Sequence, residues 1–284
     1  MIDICKKIYG AMKSSMFIRL DYRVNSKPRY GYGRPPHPDL YRIINRNRNN
    51  YEEYLNSFLA YKNNFIGIPR KNKLDNSDIG PSWINGYLPG LDSVALYGLL
   101  CLNNPKRYYE IGSGNSTLFA NKAIKDHHLR TKITSIDPYP RASINTICDT
   151  VIREPVEDVD PEVFRELEAG DILFVDNSHR AFMNSDVTAV FLDILTRLKP
   201  GVFVEFHDIC LPYDYPKEWI KRYYSEQYLL ATYILAEGNK FEIILPNTFI
   251  SRDSKLNLIL APLWNEKSMQ GVETHGGSFW IKTK

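Results

Sequence analysis

Polar residues with chemical potential stand again and again right behind short apolar runs in this chain. Asp137 follows Lys132-Ile133-Thr134-Ser135-Ile136, and Asp176-Asn177-Ser178-His179 follows Asp171-Ile172-Leu173-Phe174-Val175. His207-Asp208 follows Val202-Phe203-Val204-Glu205-Phe206, and Gly112-Ser113-Gly114-Asn115-Ser116-Thr117 follows Tyr108-Tyr109-Glu110-Ile111. Histidine titrates near neutral pH and can take or give a proton. Carboxylates accept hydrogen bonds from hydroxyls or hold cations. A Gly-x-Gly turn lets a ligand approach the backbone, and a helix start behind it offers free N–H groups and a partial positive charge.

The glycine turn is not a dinucleotide fingerprint. G-x-G-x-x-G needs a third glycine, and Thr117 holds that place. Asn115 and Ser116 suit an uncharged or zwitterionic ligand better than a pyrophosphate, and Glu110 would repel phosphate while orienting the loop or holding an ammonium group. Asp137, followed by Pro138, lies one strand–helix–strand unit later, the spacing at which an acid accepts from both ribose hydroxyls. Alone it is equally a turn residue or helix cap. Together these residues describe a nucleoside-containing ligand without a pyrophosphate.

The elements that must carry these residues alternate. After a helical stripe between Trp83 and Leu102, strands are expected near 107–111, 132–136, 150–153, 171–176, 202–206, 241–245 and 279–281. Helices are expected after the glycine turn, over 161–168, over 186–198 and after Pro216. Near-continuous apolar strands alternating with helices predict an α/β, doubly wound (Rossmann-like), seven-stranded, mostly parallel sheet with helices on both faces. In such sheets ligands bind beyond the carboxyl ends of the strands, where all four polar groups fall.

Ahead of this lies a helical N-terminal extension. Cys5, Ile8, Met12 and Met16 predict a short amphipathic helix, and Pro38 suits the first turn of a second one that runs to about Tyr61. Between them the Arg29–Pro38 stretch reads as a turn-rich loop, in a basic region that is either a solvated surface or an arm that touches an anionic or sugar substrate. Residues 63–80 read as a polar connection, giving an extension over 1–78 (lid, substrate or oligomer contacts) and a main domain over 79–284. The chain has 284 residues, is 43% hydrophobic and 24% charged, and carries a net charge of +3, too little to argue for nucleic acid. Cys5, Cys101, Cys148 and Cys210 are scattered without a C-x-x-C pair, which suits a reducing compartment. No stretch approaches the roughly 20 apolar residues of a membrane span, so a cytoplasmic location is expected.

Glu110-Ile111-Gly112-Ser113-Gly114 with Ser135-Ile136-Asp137 resembles the first cofactor motifs of class I S-adenosylmethionine-dependent methyltransferases. The segments 171–179 and 198–208 resemble the later motifs of the branch with catechol and macrolide-sugar O-methyltransferases. The resemblance covers about residues 80–284. It implies S-adenosylmethionine as cofactor, held by Glu110, Gly112, Ser113, Gly114, Asn115, Ser116, Asp137, Pro138 and Asp176. It also implies a magnesium ion on Asp176, His207 and Asp208. His207 stands where that branch has an acid, and imidazole is a poorer magnesium ligand than oxygen, so manganese, another divalent ion or no metal stays open. His179 falls where the catechol enzymes have a lysine base, which makes His179, His207 and Asp176 the catalytic candidates. Tyr213, Asp214 and Tyr215 are expected to bind a sugar hydroxyl's carrier by stacking and hydrogen bonding, with ordinary turn chemistry as the alternative, while Trp83, Asn85 and Tyr87 are a candidate lid. The expected function is O-methylation of a sugar in a glycan or glycosylated metabolite by a chain that forms a homo-oligomer or acts alone. An amine or nucleic-acid acceptor, and an inactive binding module of the same fold, are the alternatives.

Overall fold

The computed structural model of the chain describes residues 21–71, 80–140, 143–236 and 240–284. The helix expected around Cys5–Met16 lies outside the described residues. Seven strands form one sheet: β1 (Arg107–Ile111), β2 (Lys132–Ile136), β3 (Thr150–Ile152), β4 (Ile172–Val175), β5 (Phe203–Phe206), β6 (Phe241–Pro246) and β7 (Phe279–Thr283). Their order is β3-β2-β1-β4-β5-β7-β6, parallel except for β7, which runs antiparallel to both β5 and β6. β1 stands between β2 and β4, so the order reverses there and a crevice opens above the ends of β1 and β4.

The central strands β4 and β5 are buried end to end, and β1 and β2 all but their first residue, because helices cover both faces. The principal helices are α1 (Pro38–Asn45), α2 (Arg48–Phe58), α3 (Gly90–Asn103), α4 (Asn115–His127), α5 (Glu226–Leu235) and α6 (Asn247–Arg252). Pro38 occupies the first turn of α1, where its missing N–H costs nothing, and His37 Nδ1 accepts from the Leu40 N–H. α3 is buried over residues 90–100, and its N-terminus is held by the returning chain. The Gly90 and Leu91 N–H groups donate to the carbonyls of Glu273 and His275. The buried Asp92 carboxylate accepts from the Gly277 and Ser278 N–H groups and from Asn247 Nδ2. A side chain at Gly276 would collide with that carboxylate.

Several expected elements are shorter or tighter than their patterns. The stripe from Trp83 becomes helical at Gly90, because Asn85 Oδ1 accepts from the Tyr87 and Leu88 N–H groups and closes a turn instead. Residues 161–166 form a 3-10 helix. The helix expected over 186–198 is one α-turn (Asp186–Ala189), a wide π-turn (Val190–Ile194) and a 3-10 turn (Leu195–Arg197). The long helix expected after Pro216 splits into a 3-10 segment (Lys217–Arg222), a left-handed Tyr223, and α5. The expected polar connection begins with a helical turn, Lys62–Ile66. Leu40, Ile44, Tyr51, Leu55, Phe58 and Phe65 from this N-terminal part share one apolar core with α3 and the sheet. Among the described residues no helix is long and apolar enough to cross a membrane.

Candidate functional site

The glycine turn sits at the end of β1 against the end of β4. Gly112 has φ +77°, and a Cβ there would run into the carbonyl of Asp176, so glycine is required on both counts. Glu110 is fully buried beneath the turn and fastens it. Its carboxylate accepts from the hydroxyls of Tyr108, at 2.9 Å, and Thr117, whose Oγ1 in turn accepts from the Gly114 N–H. Burial pushes the Glu110 carboxyl up to about 7, against the lowering effect of those donors. Of its two expected jobs, the placement serves the first: Glu110 orients the loop and is sealed from solvent.

At the end of β2, Asp137 accepts from the Ser113 N–H at 2.8 Å and the Tyr139 N–H at 2.7 Å. Its carboxylate thus ties the glycine turn to the neighbouring strand and keeps acceptor capacity for hydroxyl donors. A cavity of about 400 Å³ opens here, lined by Gly112, Ser113, Asp137, Pro138, Asp176 and flat apolar groups from Tyr139, Pro155 and Val156. Asn115 and Ser116, at the start of α4, face a narrow cleft with Tyr87, Phe174, Asp176 and His207. The arrangement fits a nucleoside with a polar tail: an acid for ribose hydroxyls, apolar walls for a base, and a glycine turn without room for side chains.

Beyond Asp176 lies a larger cavity of about 820 Å³. Its wall brings together Asp176, His179, His207 and Asp208 from the ends of β4 and β5 with the aromatic rings of Tyr32, Tyr87, Trp219 and Tyr224. His179 has φ +59° and Asp208 φ +53°, left-handed backbone that turns both residues sharply off their strands. His179 Nε2 lies 3.3 Å from Asp176 and 3.6 Å from Asp208, and Nδ1 lies 2.9 Å from Glu226. Burial would depress the imidazole, but the hydrogen bonds it donates to Asp176 and Glu226 outweigh that and raise His179 to about 10. At neutral pH it is a cation. His207 uses both ring nitrogens, Nε2 donating to the Tyr87 carbonyl and Nδ1 lying 3.3 Å from Glu205. Burial opposes its charge too, yet the Glu205 carboxylate holds it well above the usual histidine range.

These contacts bear on the expected roles. His179 has carboxylates beside both ring nitrogens, and His207 is engaged by Glu205 and the Tyr87 carbonyl, so both imidazoles are partnered in this structure. Asp176, His207 and Asp208 all line the large cavity. Among the described residues, however, no group of three His, Cys, Asp or Glu side chains is arranged to hold a metal ion. His179 Nε2 stands between the carboxylates of Asp176 and Asp208 and occupies the space between them.

Tyr213, Asp214 and Tyr215 do not line the large cavity. Asp214 accepts from the Arg29 and Tyr30 N–H groups at 2.5 and 3.0 Å and from Tyr228 Oη at 3.1 Å, pinning the arm that carries Tyr32. Tyr215 is buried against Trp219, Tyr224 and Tyr228. Tyr213 stands behind Arg252, 4.3 Å from ring centre to guanidinium. Of the candidate lid, Trp83 is buried with Nε1 donating to the Phe65 carbonyl, Asn85 closes its turn, and Tyr87 alone of the three reaches the cavity. Sequence reasoning missed Trp219, Arg222, Tyr224 and Glu226, which lie in a segment read as one long helix, and Arg252, in a stretch that gave no motif. His275, Gly276 and Gly277, ahead of β7, also line the cavity.

Residues 109–209 match a family described as a methyltransferase domain. A protein of Archaeoglobus fulgidus without assigned function is 34% identical over 90 residues, 30% of this chain and 41% of its own length. The chain thus spans about two fifths of that relative. Among solved structures, the S-adenosylhomocysteine-bound methyltransferase PaMTH1 of Podospora anserina is similar at 14% identity, covering 87% of this chain and 94% of its own, with a TM-score of 0.41. A SAM-dependent methyltransferase of Archaeoglobus fulgidus covers 63% of this chain and 86% of its own at 13% identity and a TM-score of 0.29. The matched segment holds the glycine turn, Asp137, Asp176-Asn177-Ser178-His179 and His207-Asp208, all four strand-end groups, so the likeness to a methyltransferase domain falls on the part of the chain that builds the site.

Proposed function

We propose that the chain transfers a methyl group from S-adenosylmethionine to a hydroxyl of a sugar, free or in a glycoside. The observation that carries this reading is the position of Asp176: its side of the β4 end lines the nucleoside-sized cavity, the narrow cleft and the large aromatic cavity alike. A donor in the first and an acceptor in the last meet there. When bound, the cofactor supplies a methyl group already activated on a sulfonium. The protein has then to align a hydroxyl, exclude water and receive a proton.

Asp137 holds the donor's ribose, and Gly112, Ser113 and Gly114 let its tail lie against the backbone. Tyr32, Tyr87, Trp219 and Tyr224 offer ring faces for a sugar. The hydroxyl donates to Asp176 or Asp208, which line the cavity and are each about one-fifth exposed. The His179 cation fixes the carboxylates and Glu226 fixes His179. Cys101, Cys148 and Cys210 are unpaired thiols, which suits a reducing, cytoplasmic setting.

The test has two parts. Calorimetry with S-adenosylhomocysteine is expected to show binding to the wild type, and no binding would sink the cofactor reading. Acceptor screening by mass spectrometry should reveal a gain of one methyl group on a sugar, whose turnover falls by about 10²–10⁴ in Asp208→Asn if that carboxylate takes the proton. Methylation of amines alone would overturn the hydroxyl assignment.

A further inference from the structure

Three guanidinium groups line the large cavity, and the reaction has no use for them. Arg180, Arg222 and Arg252 come from three distant stretches of the chain. Each is oriented by aromatic rings. Arg180 lies 5.1 Å from the centre of Tyr224, Arg222 lies 4.3 Å from Trp219 and 5.5 Å from Tyr224, and Arg252 lies 4.6 Å from Tyr32 and 4.3 Å from Tyr213. Arg180 is fixed further, with Nε donating to the Arg222 carbonyl at 2.8 Å and Nη1 to the Ser178 carbonyl at 3.0 Å. A ring under a guanidinium holds its plane and leaves N–H edges to recognise an anion.

Their charge is matched by the protein only in part. Among the described residues Arg180 and Arg252 have no carboxylate within ion-pair distance, and Arg222 Nη1 comes no closer than 4.0 Å to Asp208. Of the carboxylates lining the cavity, Asp176 and Asp208 are engaged by His179, and Glu273 is exposed. A neutral sugar would leave Arg180 and Arg252 without a carboxylate partner and Arg222 with only the distant Asp208. A carboxylate or phosphate on the acceptor would answer them, since the guanidinium fork matches both anions.

We propose that the methyl acceptor is an acidic sugar, carrying a carboxylate or a phosphate that Arg180, Arg222 and Arg252 bind on the wall of this cavity. The proposal rests on reading the cavity as the acceptor site, and it identifies the acceptor's class.

The experiment is calorimetric titration of the full chain, saturated with S-adenosylhomocysteine so that the cofactor's own carboxylate cannot account for the signal. The probes are glucose, glucuronic acid and glucose 6-phosphate at fixed low salt. At least one acid should bind about ten- to a hundredfold tighter than glucose, and the stronger of the two identifies the anion. Arg222→Gln, at an exposed position, and Arg252→Gln should each remove most of that preference while thermal melting shows the fold intact. Equal affinity for all three probes, no binding of any of them, or a preference that survives in both variants would overturn the proposal. If S-adenosylhomocysteine itself fails to bind, the cofactor reading falls, and the same titrations without it still decide whether the cavity selects anions.

Discussion

Asp137 and His179 both follow strands of one sheet, yet their surroundings give them opposite work. Asp137 has two backbone donors and room for more, so it is a binding group. Asp137→Ala should weaken S-adenosylhomocysteine binding by about 1.5–3 kcal/mol, the worth of hydrogen bonds to a charged group; undiminished affinity in calorimetry would show that the acid serves the turn alone. His179 is buried against Glu226, which is itself fully buried and otherwise held by Asn177 Nδ2 at 2.8 Å. Removing the imidazole strands a buried carboxylate, so His179→Gln should cost about 3–5 kcal/mol of stability. Adding Glu226→Gln should return part of it. Denaturant unfolding of the two variants checks this, and equal stability of His179→Gln and wild type would show the imidazole to be neutral in the fold. That a polar cluster would form at Asp176, His179, His207 and Asp208 is legible in the sequence, because strand ends of a parallel sheet gather on one side. What each member does there is not, because Glu226, 47 residues beyond His179, joins Asp176 in raising the imidazole. Similarly, Asp214 has the residue type for a sugar but spends its oxygens on Arg29, Tyr30 and Tyr228, partners no local pattern reveals.

At the scale of elements, the short helix α6 carries Ser251 and Arg252 to the cavity and is held from outside by α2. Arg48, the first residue of α2, makes a two-point ion pair with Asp253 at the end of α6, both bonds 2.5 Å long. Asp253 also accepts from the Lys255 and Leu256 N–H groups. The hydrogen bonds from Arg48 hold the Asp253 carboxyl well below the usual carboxylate range. A carboxyl depressed in the folded state adds stability above its unfolded pKa of about 3.9, and that contribution is lost as the pH falls through the folded value. Arg48→Met should therefore lower the unfolding free energy by about 1–3 kcal/mol at pH 7, and the gap to wild type should narrow as the pH falls below about 4. A gap that stays constant down to pH 2.5 in parallel urea titrations would contradict the pairing. The helices themselves were legible where capping and stripe agreed, as at Pro38 and at the glycine turn. They were misjudged where a side chain closed the backbone locally, as Asn85 does, or where a left-handed residue such as Tyr223 broke an apolar run.

At the scale of the whole molecule, the boundary expected near residue 78 marks a change of composition and not a gap in the packing. Phe58 of α2 lies so close to Gly98 of α3 that a Cβ there would overlap its ring. Phe65 packs on Tyr97 with ring centres 5.0 Å apart, and Trp83 hydrogen-bonds back to its carbonyl. Leu40, Ile44, Tyr51, Leu55, Phe58, Phe65 and Ile68 are each at most 3% exposed. Uncovering a side chain of this size costs about 1.5–3 kcal/mol. Together these residues match or exceed the net stability of about 5–15 kcal/mol that a folded protein commands. The fragment 80–284, despite holding every strand and the whole glycine turn, should not fold by itself. Prepared alone, it is expected to bind a hydrophobic dye, to lack a sharp thermal transition and to lose S-adenosylhomocysteine binding, whereas the full chain melts cooperatively. A fragment that melts sharply and still binds would make residues up to 79 an appendage, and the N-terminal helices would then owe their place to the acceptor instead of the core.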